Sequence, residues 1–246
     1  MIPLSDTDLY RRRVPFVNLT LIALNALVFL YDLILGGDGA TFVYTYGLIP
    51  DELVTGNEFQ VLVTRTGNVD ITTPVPTWAT LFTSMFMHGG LVHFGSNMVY
   101  LWVFGDNLES RMGHFIYLGF YVTAGLAAAG MQIAVDLHSQ VPIIGASGAI
   151  AGVLGAYVML FPHSQIRTLL IYFIITVVRI PAVYLLGFWF LLQFWGGLGT
   201  LGPSTPGGGV AYWAHIGGFA VGVAAVALYR IARRQPLWSR NPSLWE

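Results

Sequence analysis

The chain has no cysteine and no lysine. Without cysteine there is no disulfide framework, no thiol nucleophile and no thiolate metal site. Without lysine, Schiff-base chemistry and a serine–lysine pair are excluded. Charge of either sign is scarce: only 9% of the 246 residues are charged, against roughly 25% in a soluble domain. The net charge of -1 leaves no polybasic surface for nucleic acid. What is abundant is apolar: 55% of residues are hydrophobic and 14% aromatic, with a mean hydropathy of +0.67. This is the composition of an integral membrane protein, and the rings suit anchoring at membrane interfaces.

Arg11, Arg12 and Arg13 precede an apolar run from Val14 to Leu35. That pattern imitates a signal peptide, but 22 residues exceed a signal core of roughly 7–15. No A-x-A-like site follows directly, so the run is expected to be a retained first span. Six spans are expected, near 15–35, 87–108, 114–135, 145–161, 179–197 and 210–231. One helix over 167–197 would be roughly 46 Å long, too long for a hydrocarbon core of ~30 Å. A segment along the interface to about 178, then a span from Arg179, resolves this and keeps Arg179 at the membrane edge.

Arginines at 11–13, 111, 167, 179, 230, 233, 234 and 240 all fall between or beyond spans on one side, which is cytoplasmic by the positive-inside rule. The opposite side takes the long 36–78 loop, the 136–143 loop and the Gly/Pro-rich 196–209 loop. The expected organisation is an all-α bundle: a cytoplasmic tail at 1–14, a six-helix membrane domain at 15–231 and a cytoplasmic tail at 232–246. A bacterial plasma membrane is the simplest location. No internal repeat marks a transporter.

Spans 2, 4 and 6 run from outside to inside, and each has a polar residue near its start. At about 1.5 Å per residue, His93 lies roughly 9 Å down, Asn97 roughly 15 Å and His215 roughly 8 Å. Ser147 to Phe161 makes only about 21 Å of helix, so a helix starting at Ser147 begins roughly 9 Å below the outer face. Four polar groups therefore share one shallow layer. Small residues permit close approach of helices in a membrane. Gly148, Gly152 and Gly155 recur along span 4, and His215, Gly218 and Gly222 share a face of span 6.

Singly, Ser147 reads as a helix cap or packing residue, His215 as a buried histidine on a carbonyl, and His93 with Asn97 as interhelical glue. Together they make a nucleophilic-catalysis kit. Ser147 attacks and His215 is base, then acid. The Ser147 N–H at a helix start, with His93 and Asn97, holds the oxyanion. The layer has no carboxylate, so this is a dyad, and neither a metal nor a cofactor is expected.

These residues resemble the rhomboid family of intramembrane serine proteases over about 80–231. "GASG" (Gly145 to Gly148) resembles the family's GxSG motif, and "AHIGGFAVG" its last-helix motif. "HGGLVHFGSN" resembles the second-helix motif, with His88 in a supporting position. "NLESRMG" resembles the following loop, where Glu109 and Arg111 would be structural. There are two departures. The 36–78 loop has no Trp-Arg pair, and Ala151 stands where some relatives place a Tyr that packs on the histidine. The resemblance implies cleavage of single-pass membrane proteins in or beside their transmembrane segments. Its partners would be such substrates and membrane lipid. The 196–209 loop and span 5 would gate entry. A channel or transporter, or a proteolytically inactive relative that binds membrane clients, is the alternative.

Overall fold

The long apolar runs form six long helices. They are α1 (Phe16–Leu35), α2 (Leu91–Met112), α3 (His114–Val135), α4 (Ser147–Leu160), α5 (Ala182–Gly199) and α6 (Tyr212–Ala232). The structure is a computed structural model and describes residues 1–6, 14–35, 39–64, 67–171, 175–201 and 209–237. Arg11–Arg13, Arg65, Arg240 and residues 202–208 of the 196–209 loop lie outside the described residues. Four helices, α1, α3, α5 and α6, are long and apolar enough to cross a membrane. The other two fall short for different reasons: α4 has only 14 residues, and α2 carries polar residues along its length, His93, Ser96, Asn97, Asp106 and Asn107 among them.

Helix ends follow local chemistry. The expected span at 87–108 begins later, at Leu91, because Gly90 has φ 148 and cannot continue a helix. Gly113, at φ 82, separates α2 from α3. The start of α1 is capped from a distance: Glu109 accepts the N–H of Val17 (3.0 Å) and of Asn18 (2.7 Å). A buried carboxyl group there satisfies orphan donors and complements the helix dipole. His114 Nδ1 lies 2.5 Å from the same Glu109, and its ring stacks on Phe16 at 4.2 Å. Glu109 is thus a structural tie between α1, α2 and α3. Arg111 sits in the last turn of α2, where a cation suits the dipole.

The all-α expectation is corrected beside the far end of α4. Strands β1 (Ile2–Asp6), β2 (Gln165–Ile171) and β3 (Ile175–Pro181) form an antiparallel sheet in the order β1–β2–β3. The segment expected to lie along the interface is therefore a hairpin. Its residues are mainly Ile, Val, Thr and Leu, and β-branched side chains suit a pleated surface better than a helix. Pro181, with no N–H to donate, ends β3 and precedes α5. Residues 2–6, expected within a tail, supply the third strand. A second hairpin pairs Val61–Thr64 with Gly67–Asp70 in the segment between α1 and α2. That segment also holds helices Gly39–Tyr46 and Pro50–Thr55.

Helix α4 is the centre of the bundle. Every residue from Gly148 to Tyr157 is buried. Close backbone approach explains its composition. A Cβ on Gly218 or Gly222 of α6 would overlap the carbonyl oxygen of Gly148 or Gly152. The missing side chains at Gly218 and Gly222 thus let the α6 backbone approach α4. On α4 the roles are divided: Gly155 faces the Phe219 backbone of α6, while Gly148 and Gly152 chiefly face Ala128 and Ala124 of α3. A Cβ on Gly148 would lie 2.6 Å from the Ala128 Cβ.

Candidate active site

Ser147 is the first residue of α4, so the first N–H groups of the helix beside it have no intrahelical acceptor. The loop that delivers it is held at two points. Gly145 N–H donates to the Ser84 carbonyl at 2.8 Å, and Ile143 pairs with Leu48 in a short bridge. Gly145 has φ 118, a conformation that favours glycine. It also leaves room: a Cβ there would be 2.9 Å from His93 Nε2 and 3.5 Å from Ser147 Oγ.

His215 lies in the first turn of α6, and the glycine contacts bring it over the start of α4. Its Nε2 is 2.8 Å from Ser147 Oγ. Ring and hydroxyl can thus exchange a proton directly. The other ring nitrogen, Nδ1, is 2.8 Å from Gln193 Oε1 on α5. The Trp189 ring, one turn earlier on α5, lies 5.8 Å from the His215 ring at 37°. His215 is only 9% exposed, so its orientation is fixed by these contacts rather than by solvent.

His93 approaches from α2. Gly89 N–H donates to its Nδ1 at 3.3 Å. In the neutral ring Nε2 then carries the proton, and that nitrogen is the one beside Gly145. His88 is buried edge-on against His93, with ring centroids 5.1 Å apart at 67°. It supports the ring by packing. Asn97 is buried and donates to the His93 carbonyl at 3.0 Å, one turn back on α2. Among the described residues no hydrogen bond joins Asn97 to Ser147 or His215.

Two residues of the site were missed by sequence reasoning. Gln193 and Gln132 lie near the ends of α5 and α3, which run opposite to α2, α4 and α6. Gln132 Oε1 accepts the Ala214 N–H at 3.2 Å, at the start of the histidine helix. A search for polar residues near span starts passes over both. The readable signal was the lone amide side chain in α5, where every other residue is apolar, aromatic or glycine.

A profile of the Rhomboid domain matches residues 76–232. The chain is 30% identical over 144 residues to "Rhomboid protein 1, mitochondrial" of Saccharomyces cerevisiae, covering 57% of this chain and 38% of that protein. It is 36% identical over 144 residues to "RHOMBOID-like protein 4" of Arabidopsis thaliana, covering 58% and 32%. A shorter match, 38% identical over 79 residues, is to "Rhomboid protease GluP" of Bacillus subtilis, covering 32% and 15%. The matched segments are thus well under half the length of these relatives. The two matches over 144 residues are to a yeast mitochondrial and a plant protein, so the expected bacterial plasma membrane finds no support in them. The domain match spans more than half of the chain and contains every residue of the Ser147–His215 constellation: this multi-pass integral membrane protein belongs to the rhomboid family.

Proposed function

We propose that the protein is an intramembrane serine endopeptidase that cleaves single-pass membrane proteins in or beside their transmembrane segments. The observation that carries this reading is the 2.8 Å contact between His215 Nε2 and Ser147 Oγ at the start of a buried, shortened helix. Ser147 Oγ attacks the peptide carbonyl while His215 Nε2 takes its proton. The tetrahedral oxyanion is held by the Ser147 N–H and the Nε2–H of His93, with Asn97 on the same side. His215 then gives the proton to the departing amine, leaving an acyl group on Ser147. Water attacks the ester with its proton passing to His215, the acid leaves, and Ser147 recovers its proton.

In this reading all six long helices span the membrane. Residues 15–231 are the membrane domain, and 1–14 and 232–246 lie on the cytoplasmic side. The short α4 begins below the outer face, since about 21 Å of helix cannot fill a core of ~30 Å. The position of Arg230 supports the polarity. Its Nη2 donates to the Met159 carbonyl at 2.7 Å, at the opposite end of α4 from Ser147. Between those ends the α4–α6 contact is glycine against backbone, which offers no polar path for an ion or solute.

The test is cleavage of a panel of single-pass substrates after co-reconstitution into liposomes. The wild type yields two fragments cut within or beside the transmembrane segment. Ser147→Ala and His215→Ala each lower turnover by at least ~10³-fold. Retained cleavage in either variant contradicts the reading.

A further inference from the structure

The reaction requires His215 to present an unprotonated Nε2 to Ser147, and something must hold the ring in that tautomer. In many serine hydrolases a carboxylate does so. Here the group facing Nδ1 is the side-chain amide of Gln193, 2.8 Å away. Which end of the amide faces the ring follows from its second contact. Gln193 Nε2 donates to the Trp189 carbonyl one turn back, at 3.4 Å. Reversing the amide would set its oxygen against that carbonyl, two acceptors facing each other. With Oε1 toward the ring, Nδ1 must be the nitrogen that carries hydrogen. Nε2 is then the acceptor for the Ser147 hydroxyl.

Helix α4 offers no such hold. Ala151, one turn after Ser147, has no ring to pack on His215. The packing comes instead from Trp189, which also lies near Phe219 of α6 at 6.2 Å. Apart from the Ser147 hydroxyl at Nε2, the hydrogen bond at Nδ1 and the aromatic contact on the His215 ring are both made by α5.

Resting on the Ser147–His215 reading above, we infer that Gln193 is the positioning residue of the reaction: its amide oxygen fixes the tautomer of His215 and makes the base depend on the seating of α5. Any outward movement of α5 breaks the Nδ1 hydrogen bond and leaves His215 unoriented until the helix returns. The other groups around the ring are neutral or distant in role. Ser147 faces it from α4, and Gln132 of α3 binds the Ala214 N–H beside it. His93 of α2 is the neighbouring titratable group, its Nε2 lying beside Gly145 next to Ser147.

The test measures kcat and KM for a membrane-borne substrate across pH, with thermal melting of each variant, for the wild type, Gln193→Leu and Gln193→Glu. Gln193→Leu is expected to lower kcat by about ten-fold, the scale of one well-placed hydrogen bond, with KM and the melting midpoint unchanged. Gln193→Glu keeps an acceptor at Nδ1 and restores most of kcat. Its carboxylate also stabilises the imidazolium, so the acidic limb of the pH profile moves to higher pH. A Gln193→Glu profile that coincides with the wild type overturns the inference, as does an unchanged kcat in Gln193→Leu. Should Gln193→Leu fail to fold, the Gln193→Glu profile decides alone. A failed dyad shows differently, as activity surviving Ser147→Ala.

Discussion

At one end of α4, Ser147 meets His215; at the other, Tyr157 meets Asp6. Both are buried polar clusters in an apolar bundle, but they are built to different rules. The Asp6 carboxyl group accepts from at least three donors. Tyr157 donates its hydroxyl, Ser164 Oγ donates at 2.6 Å and Asn107 Nδ2 at 3.1 Å. These residues come from β1, α2, α4 and the turn after α4, so the cluster ties the inserted strand to the helices. Such a site is stabilised by completing its hydrogen bonds. The Ser147 end is sparser. It is made of a hydroxyl, an imidazole and an amide joined in a single chain, beside helix N–H groups that have no internal acceptor. Unspent hydrogen-bonding capacity is what a site needs to hold a charge that exists only during reaction. At the structural end the donors converge on the Asp6 carboxyl group, whereas the Ser147 end keeps helix N–H groups uncommitted.

Substitutions should separate the two ends. His93→Ala removes one proposed oxyanion donor and is expected to lower kcat by ~10²-fold with little change in KM, read from steady-state cleavage in liposomes. A smaller loss is expected from restraining α5. Thr200 lies after its last turn and receives a hydrogen bond from Trp213 Nε1 of α6 at 3.3 Å. The native chain has no cysteine, so Thr200→Cys with Trp213→Cys gives a unique pair for a thiol cross-linker. Cross-linking should slow cleavage of membrane-borne substrate by roughly ten-fold or more, as expected if a closed lid limits turnover. Reduction should restore it. Unchanged turnover in the cross-linked protein refutes the gate.

At the other end the expected effects are on stability. Asp6→Ala leaves buried donors unpaired and should cost about 1–3 kcal/mol, measured by denaturant unfolding in detergent. The fraction that remains folded should cleave substrate at the wild-type rate. A specific loss of kcat would make the Asp6 cluster part of the reaction and erase the contrast. Glu52 is the intermediate case, a buried carboxyl group that accepts the Phe59 N–H at 2.7 Å. Burial raises its pKa, and the nearby Glu58 and Asp51 add to this, against the Phe59 hydrogen bond. A raised carboxyl pKa means that the folded state holds the proton more tightly than the unfolded chain. Its contribution is fully present below the unfolded value and is lost as pH rises through the folded one. Glu52→Gln should flatten that part of the pH dependence of the melting midpoint, the smallest effect expected here.

Much of the reactive end was legible in the sequence because membranes penalise polar residues. Ser147, His93 and His215 stood out against apolar runs, and the short stretch from Ser147 to Phe161 implied a helix that begins at depth. Close approach was legible too, since Gly218 and Gly222 repeat on one face with His215. The hairpin was not, because a run of Ile, Val, Thr and Leu satisfies both a membrane segment and a strand. Pairing with residues 2–6, some 160 positions away in the chain, decided between them. Gln193 was hidden by direction. In an outward-running helix the outer layer falls at the end, so a residue six positions before the close of α5 shares a layer with one that opens α4. Ala151 left the support of His215 open, and only the fold brings Trp189 and Gln193 to the ring.

The proposed mechanism makes Ser147 a nucleophile activated by His215. Reaction with a serine-directed fluorophosphonate, followed by mass mapping of the adduct, tests it without any knowledge of the natural substrate. A single adduct is expected on Ser147, absent in Ser147→Ala and strongly slowed in His215→Ala. Labelling that persists in Ser147→Ala, or maps to another residue, would contradict it.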